Sequence, residues 1–234
     1  MSSEPETFKG IILKSTEYKE KDRLISVLTK DRGIVNICVK GVAGKNSRFA
    51  FASLPYSYCD FVVTLTHDFY YLKEGIVISG NTGIMDSLES MAVAGHISDC
   101  LRESVMQSDN APACYELAIY SYYVLSNTPS YYLQAMCIFN WRLMWILGLA
   151  SKASECVNAA GDMKLSSRSC EILDFIGENP VNKIFTIKLE PSDIEELRRF
   201  TLRYVSVQFE KDIPDPILRL NLPVIRRKDA ADET

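Results

Sequence analysis

Three cations, Lys40, Lys45 and Arg48, stand within nine residues of the segment "KGVAGKNSRFAFASLP". Gly41, Gly44 and Asn46 lie between them, residues that give a loop backbone freedom. Cations on such a loop can neutralise the phosphates of a nucleic acid without reading its sequence. Phe49 and Phe51 follow directly. They could stack on bases, or they could anchor the loop to the body of the protein. The segment is no nucleotide-binding loop of the G-x-x-x-x-G-K-[ST] type. Its two glycines are too close together, and Asn46 follows the lysine.

Other residues capable of chemistry are scattered. The two histidines, His67 and His96, sit far apart in "LTHDF" and "VAGHISD". No serine or cysteine nucleophile accompanies them in a recognisable order. The seven cysteines are an odd number, mostly inside apolar runs, and no C-x-x-C pair exists. They read as reduced, buried thiols. A zinc site would need Cys156, Cys170, His67 or His96 at irregular spacing, so neither a metal nor another cofactor is expected. Acidic pairs such as Asp212 with Asp215 or Glu195 with Glu196 suit helix ends. The expectation is a binding protein without a catalytic constellation.

The elements that must position these cations change in character near residue 80. In residues 8–78, "FKGIILK", "RLISVLT", "IVNICVK", "YCDFVVTLT" and "DFYYLKEGIVIS" read as five short strands, with a hairpin turn at "KDRG". Val35, Ile37 and Val39 share one face, as do Cys59, Phe61, Val63 and Leu65. Five strands without a helical crossover predict a small antiparallel barrel. Beyond "SGNTG" the apolar period becomes helical. Ala94, Ile97, Leu101 and Val105 form one stripe. Tyr115, Ala118, Tyr122 and Leu125 form a second, and Leu133, Cys137, Trp141 and Met144 a third. A shorter helix precedes Gly177 and Pro180. A last one carries Ile194, Leu197, Tyr204 and Val207. Capping boxes are expected from Asp86 to Glu89 and from Ser192 to Glu195. The fold class is therefore α+β, with a barrel domain over residues 1–80 and a helical domain over 81–234.

Charge follows this division. Residues 9–48 hold ten Lys or Arg against four acids, a balance of +6, although the whole chain carries −4. A basic first segment on an acidic body points to a polyanionic partner. The N-terminus has neither a basic start nor an apolar core of the secretory type. The longest apolar region, "YYLQAMCIFNWRLMWILGLA", contains Gln134, Asn140 and Arg142, which argues against a membrane span. A cytoplasmic protein is expected.

The ordered positions Gly10 to Leu13, Tyr18 with Glu20 and Asp22, Gly33, Lys40–Gly41, Ser47–Arg48–Phe49 and Leu54–Pro55 resemble the N-terminal segment of the RecO family of recombination mediators. "FNWRLMWILGLASKASEC" is similar to the family's helix that ends at a glycine before a zinc knuckle. Here the paired C-x-x-C motifs are missing and only Cys156 remains, so no structural zinc is inferred. The resemblance implies an OB-fold barrel followed by helices. It also implies binding of single- and double-stranded DNA, strand annealing, and loading of the RecA recombinase onto DNA covered by single-strand binding protein, with RecR as partner. The phosphate-facing candidates are Lys14, Arg23, Lys40, Lys45 and Arg48, with Phe49 beside them. Lys19 and Lys21 rank lower because Glu20 and Asp22 interleave with them. For the acidic tail of single-strand binding protein, Trp141, Arg142 and Trp145 offer an apolar notch with a cation, and Arg198, Arg199 and Arg203 add charge nearby. Arg142 could instead only pair with a nearby acid over the core. Rival readings are an RNA- or protein-binding OB module of a translation or replication factor, and a nuclease holding magnesium on the acidic helical body.

Overall fold

The computed structural model describes residues 4–42, 47–67, 69–105, 110–157 and 163–220. Five strands, β1 (Glu6–Tyr18), β2 (Asp22–Thr29), β3 (Gly33–Val39), β4 (Tyr58–Thr66) and β5 (Phe69–Ser79), close in the order β1-β2-β3-β5-β4. All pairings are antiparallel except β3 with β5, which is parallel and spans only Ile37↔Tyr70 and Cys38↔Tyr71. This is the five-stranded OB arrangement, and the α+β expectation holds. Alternation fills the inside. Ile12, Ile25, Val27, Ile37, Val39, Cys59, Phe61 and Val63 form one apolar cluster. Each large side chain there contributes roughly 1.5–3 kcal/mol by leaving water. Leu65 is only half-buried, because the strand is running out of the barrel.

The segment after β3 does more than connect. Val42, Phe49 and Ala52 are buried in the barrel cluster, and Ala50–Ser53 makes a turn of 3-10 helix. Phe51 packs on Phe61, ring centres 6.3 Å apart. Gly75 of β5 admits that ring: a Cβ there would lie 2.3 Å from its Cζ. The second half of the basic segment is thus a plug in one end of the barrel.

The helices are α1 (Leu88–Ser104), α2 (Ala111–Asn127), α3 (Tyr132–Ile146), α4 (Ala153–Cys156), α5 (Ser167–Glu178), α6 (Val181–Ile184), α7 (Pro191–Gln208) and α8 (Pro216–Leu220). The first three expected stripes are buried, save that Leu133 is only partly so. On α7 the stripe is instead Leu197, Phe200, Thr201, Tyr204 and Val205. Val207 is exposed, because at about 100° per residue it falls outside the arc of those five side chains. Both expected caps shift. The cap of α1 is Ser87, whose hydroxyl accepts from Ser90 N at 3.2 Å and whose O–H donates to Glu89. The capping box of α7 is Glu190 with Asp193, and Pro191 holds the first helical position, where its missing N–H costs nothing.

At the centre of the bundle Trp141 is fully buried. It packs on Tyr204 and Phe200 at 5.3 and 5.8 Å, and Nε1 donates to the Leu173 carbonyl at 2.7 Å. α3 stops at Gly148, φ +71, where Gly148 N bonds Trp145 O and Leu149 N bonds Met144 O. That pair of bonds is a Schellman closure, and the positive φ suits glycine. The barrel joins this bundle through one half of its outer face. Ile11, Leu13, Leu28 and Ile34 belong to the same apolar cluster as the helices. No helix among the described residues is long and apolar enough to cross a membrane.

Candidate nucleic-acid interface

The other half of that outer face is open. Lys14 pairs with Ser26, Thr16 with Leu24 and Tyr18 with Asp22 across β1 and β2, and Ser26 and Leu24 pair with Asn36 and Cys38 of β3. The inward positions Ile25 and Ile37 alternate with these, so the named residues share the outside. Ser26 Oγ donates to Asn36 Oδ1 at 2.7 Å. The middle of the face is uncharged, formed by Thr16, Ser26 and Asn36 with Leu24 and the buried Cys38, and Lys14 stands at one side. At the other side are Lys40, the Tyr18–Lys19 turn and Asp22, whose Oδ1 accepts from Gly41 N at 3.0 Å. Lys40 Nζ lies 5.0 Å from the Tyr71 ring centre, and Lys19 Nζ lies 5.2 Å from that of Tyr18. Tyr18 and the half-buried Tyr71 give this end an aromatic character, while the exposed Phe69 lies one step back, level with Asn36. The face has the parts that a single strand needs: cations for phosphates and ring faces for bases.

Arg48 comes to the same end of the barrel from the plug. Its guanidinium lies 4.6 Å from the Phe49 ring centre and donates to the Lys73 carbonyl at 3.2 Å, yet the side chain stays exposed. Five N–H donors on a rigid fork leave most of it available. Lys45 lies outside the described residues. Arg23 is tied down, donating to Ser15 Oγ at 3.2 Å and lying 3.7 Å from Glu17. Lys19 and Lys21 are both exposed on the β1–β2 turn.

Phe49 differs from its expected place beside DNA. Only 9% of it is exposed, it sits in the barrel cluster, and its ring is the platform on which Arg48 lies. Of the two uses open to this aromatic pair, anchoring is the one that the geometry realises. Lys14 stands apart from the other cations, four residues of β1 before Tyr18, or about 13 Å of strand. Ser26, Asn36, Phe69 and Tyr71 were not singled out in the sequence, and Tyr18 entered only through the family resemblance. The alternation that buries Ile25 and Ile37 is the signal that could have found them.

The notch expected at Trp141, Arg142 and Trp145 is closed. Trp141 has no exposed surface. Arg142 donates to the carbonyls of Ile176 and Gly177 at the end of α5 rather than pairing with an acid. A cation suits a helix C-terminus. Burial lowers the Arg142 pKa, with Glu116 acting against that. Trp145 lies against Gly177, where a Cβ would come within 2.3 Å of the indole. Arg198 is held by Asp215 at 2.6 Å, and Arg199 lies 3.9 Å from Glu195. A wider cleft of about 450 Å³ opens between α1 and α8, with Met91, Phe209, Ile213 and Leu220 on its walls and Lys211 and Arg219 at its edge.

Groups with potential for covalent or metal chemistry are occupied structurally. His96 is buried, Nε2 donating to Asn140 Oδ1 at 2.7 Å, and burial lowers its pKa. Beside it, burial pushes the Cys100 thiol up to about 12, far from a nucleophilic thiolate. Cys156 accepts from Ser151 N at 3.4 Å. Among the described residues no three His, Cys, Asp or Glu side chains gather to hold a metal. Most of the segment "VNAAGDM", where the family resemblance would place a zinc knuckle, lies outside the described residues.

The family models "Recombination protein O N terminal" and "Recombination protein O C terminal" match residues 1–81 and 151–215. A DNA repair protein RecO of Acetivibrio thermocellus is 24% identical over 229 residues, covering 87% of this chain and 91% of its own. The DNA repair protein RecO of Caldicellulosiruptor bescii is 23% identical over 230 residues, covering 88% and 93%. That of Bacillus pumilus is 23% identical over 193 residues, covering 82% and 75%. A closed five-stranded barrel with a basic, plugged end, followed by helices, agrees with matches at both ends of the chain, and we conclude that this protein belongs to the RecO family of DNA repair proteins.

Proposed function

We propose that the chain is a non-enzymatic mediator of recombinational repair in the cytoplasm. It binds single- and double-stranded DNA through the open outer face of the barrel and promotes annealing of complementary strands. Together with RecR it helps to load a recombinase onto DNA covered by single-strand binding protein. The observation that carries this reading is the open half of the β1–β3 face: uncharged in its centre, cationic at Lys14 on one side and at Lys40 on the other, with Arg48 of the plug against β5 beyond it. Such a surface holds phosphates by charge and is indifferent to base order. For the acidic tail of single-strand binding protein, which needs an apolar notch with a cation at its edge, we place the contact in the α1–α8 cleft. Lys211 is paired there with Glu103 at 2.5 Å, which leaves Arg219 to meet a terminal carboxylate.

An annealing assay tests the reading. Complementary oligonucleotides coated with single-strand binding protein should anneal faster with the protein than without it. Unchanged annealing, or preference for RNA in competition, would overturn the proposal. Metal-dependent cleavage of labelled DNA would establish a nuclease instead.

A further inference from the structure

The open face of the barrel ends at a β-bulge between Ile12 and Lys14, where β1 leaves β4. Bulges re-aim side chains. Here Leu13 enters the helical core while Lys14 turns outward. At that point α1 approaches the barrel, and a cleft of about 230 Å³ opens between them, lined by Lys14, Tyr56, Ser98, Asp99 and Arg102 among others. We propose that this cleft is a second phosphate-binding site, at which Lys14 and Arg102 carry a bound strand off the barrel and onto α1. The inference rests on the reading of the barrel face as a DNA surface and extends it to the helical half of the chain.

Three observations support it. The Lys14 side chain is exposed and has no hydrogen-bond or ion-pair partner among the described residues. Among the described residues the Arg102 side chain is bound only by Asp99, at 3.2 Å and one turn away on the same helix, and the Asp99 side chain is 77% exposed. An exposed pair of this kind holds its partners weakly, so a phosphate can share the guanidinium. With Asp99 counted, the two cations still leave the cleft net positive. The third observation is Tyr56. It adopts φ +67, uncommon for a bulky residue, and is fixed there by Tyr56 N to Ile12 O at 2.7 Å and Asn81 Nδ2 to Tyr56 O at 2.8 Å. Its ring packs on Tyr122 at 5.2 Å and brings the hydroxyl towards Gly95 of α1. Strained backbone held by its surroundings is found at ligand sites. This hydroxyl, a phenol protonated at neutral pH, can donate there, and burial, helped by Asp99, raises its pKa further. Two cations and a neutral O–H therefore converge where a strand crossing from Lys40 past Lys14 would arrive.

The test is fluorescence anisotropy of labelled oligothymidylates of about 4 and about 16 nucleotides, the range that one OB barrel covers. Wild type, Lys14→Gln, Arg102→Gln, Arg102→Lys, Tyr56→Phe and Lys40→Gln/Arg48→Gln are titrated against salt, with thermal unfolding of each as control. On the long strand Arg102→Gln should lower the log–log salt slope by about 0.7, the value for one phosphate contact on a single strand. Arg102→Lys should restore the slope. Tyr56→Phe should weaken binding at constant slope. The short strand, held by the Lys40–Arg48 end, should not respond to Arg102→Gln. If wild type binds and Lys40→Gln/Arg48→Gln weakens it, while Arg102→Gln leaves affinity and slope unchanged on the long strand, the second site is refuted and the barrel reading stands. If wild type binds neither strand, both fall.

Discussion

Replacing Phe49 by Ala separates the two uses that its position allowed. The ring is 9% exposed, meets Phe51 edge-on at 6.5 Å, and supports the Arg48 guanidinium at 4.6 Å. Removing a buried Phe costs about 3–5 kcal/mol. The lower end applies, because the site lies at the mouth of the barrel, where water can refill part of the void. Loss of the stacked cation adds about 0.5–1 kcal/mol. The expected destabilisation is about 3.5 kcal/mol, and in a chain of this size each kcal/mol lowers Tm by roughly 2–4 °C. Urea denaturation should show a lower midpoint with an unchanged slope. Single-strand affinity measured below the transition should fall mildly, through Arg48. A base-stacking Phe49 predicts the reverse: stability within about 0.5 kcal/mol of wild type and a binding loss of about 1–3 kcal/mol. That pattern would refute the plug.

Three further outcomes follow from the packing. His96 faces Asn140 and Cys100 in the bundle, and Asp99, Asp215 and Arg219 by charge, with burial lowering its pKa. The unfolded chain therefore takes up its proton more readily than the folded one. Its contribution is complete above the unfolded value of about 6.5 and is lost as pH falls below it, so His96→Gln should flatten the denaturation-against-pH curve between about pH 5 and 7. Gly177→Ala should destabilise by about 1–3 kcal/mol in thermal melts, since the new Cβ meets the Trp145 indole at 2.3 Å and overpacking outweighs the helix preference for Ala of about 1 kcal/mol. In calorimetry with a tail peptide of single-strand binding protein, Arg219→Ala should weaken binding and Trp145→Phe should not; the opposite result would return the site to α3.

The barrel was legible because its inward positions are strictly alternating and apolar, as in Ile25–Val27 and Ile37–Val39. The second half of β1, "STEY", was not, because it lies over the open face where both sides are polar. The short helices α4, α6 and α8 carry too few residues for a period. α8 depends on Asp215, which accepts from Ile217 N and Leu218 N and bonds Arg198 of α7. The caps were displaced because several Ser, Asp and Glu stand together before α1 and α7, and spacing alone does not choose among them. Among the site residues, Lys40 and Arg48 could be read from charge. The burial of Phe49 and Trp141 could not, since an aromatic stripe looks the same on a core and on a surface. Arg102 escaped notice because its meaning depends on the bulge that turns Lys14 towards α1.

We propose that the basic end of the barrel binds DNA through charge. Salt-dependent binding of single strands to wild type and to Lys40→Gln/Arg48→Gln tests it most directly. The double variant should fold as wild type, lose affinity equally for every base composition, and show a log–log salt slope shallower by about 1.4. Equal affinity and equal slope in the two proteins would mean that DNA does not bind at Lys40 and Arg48.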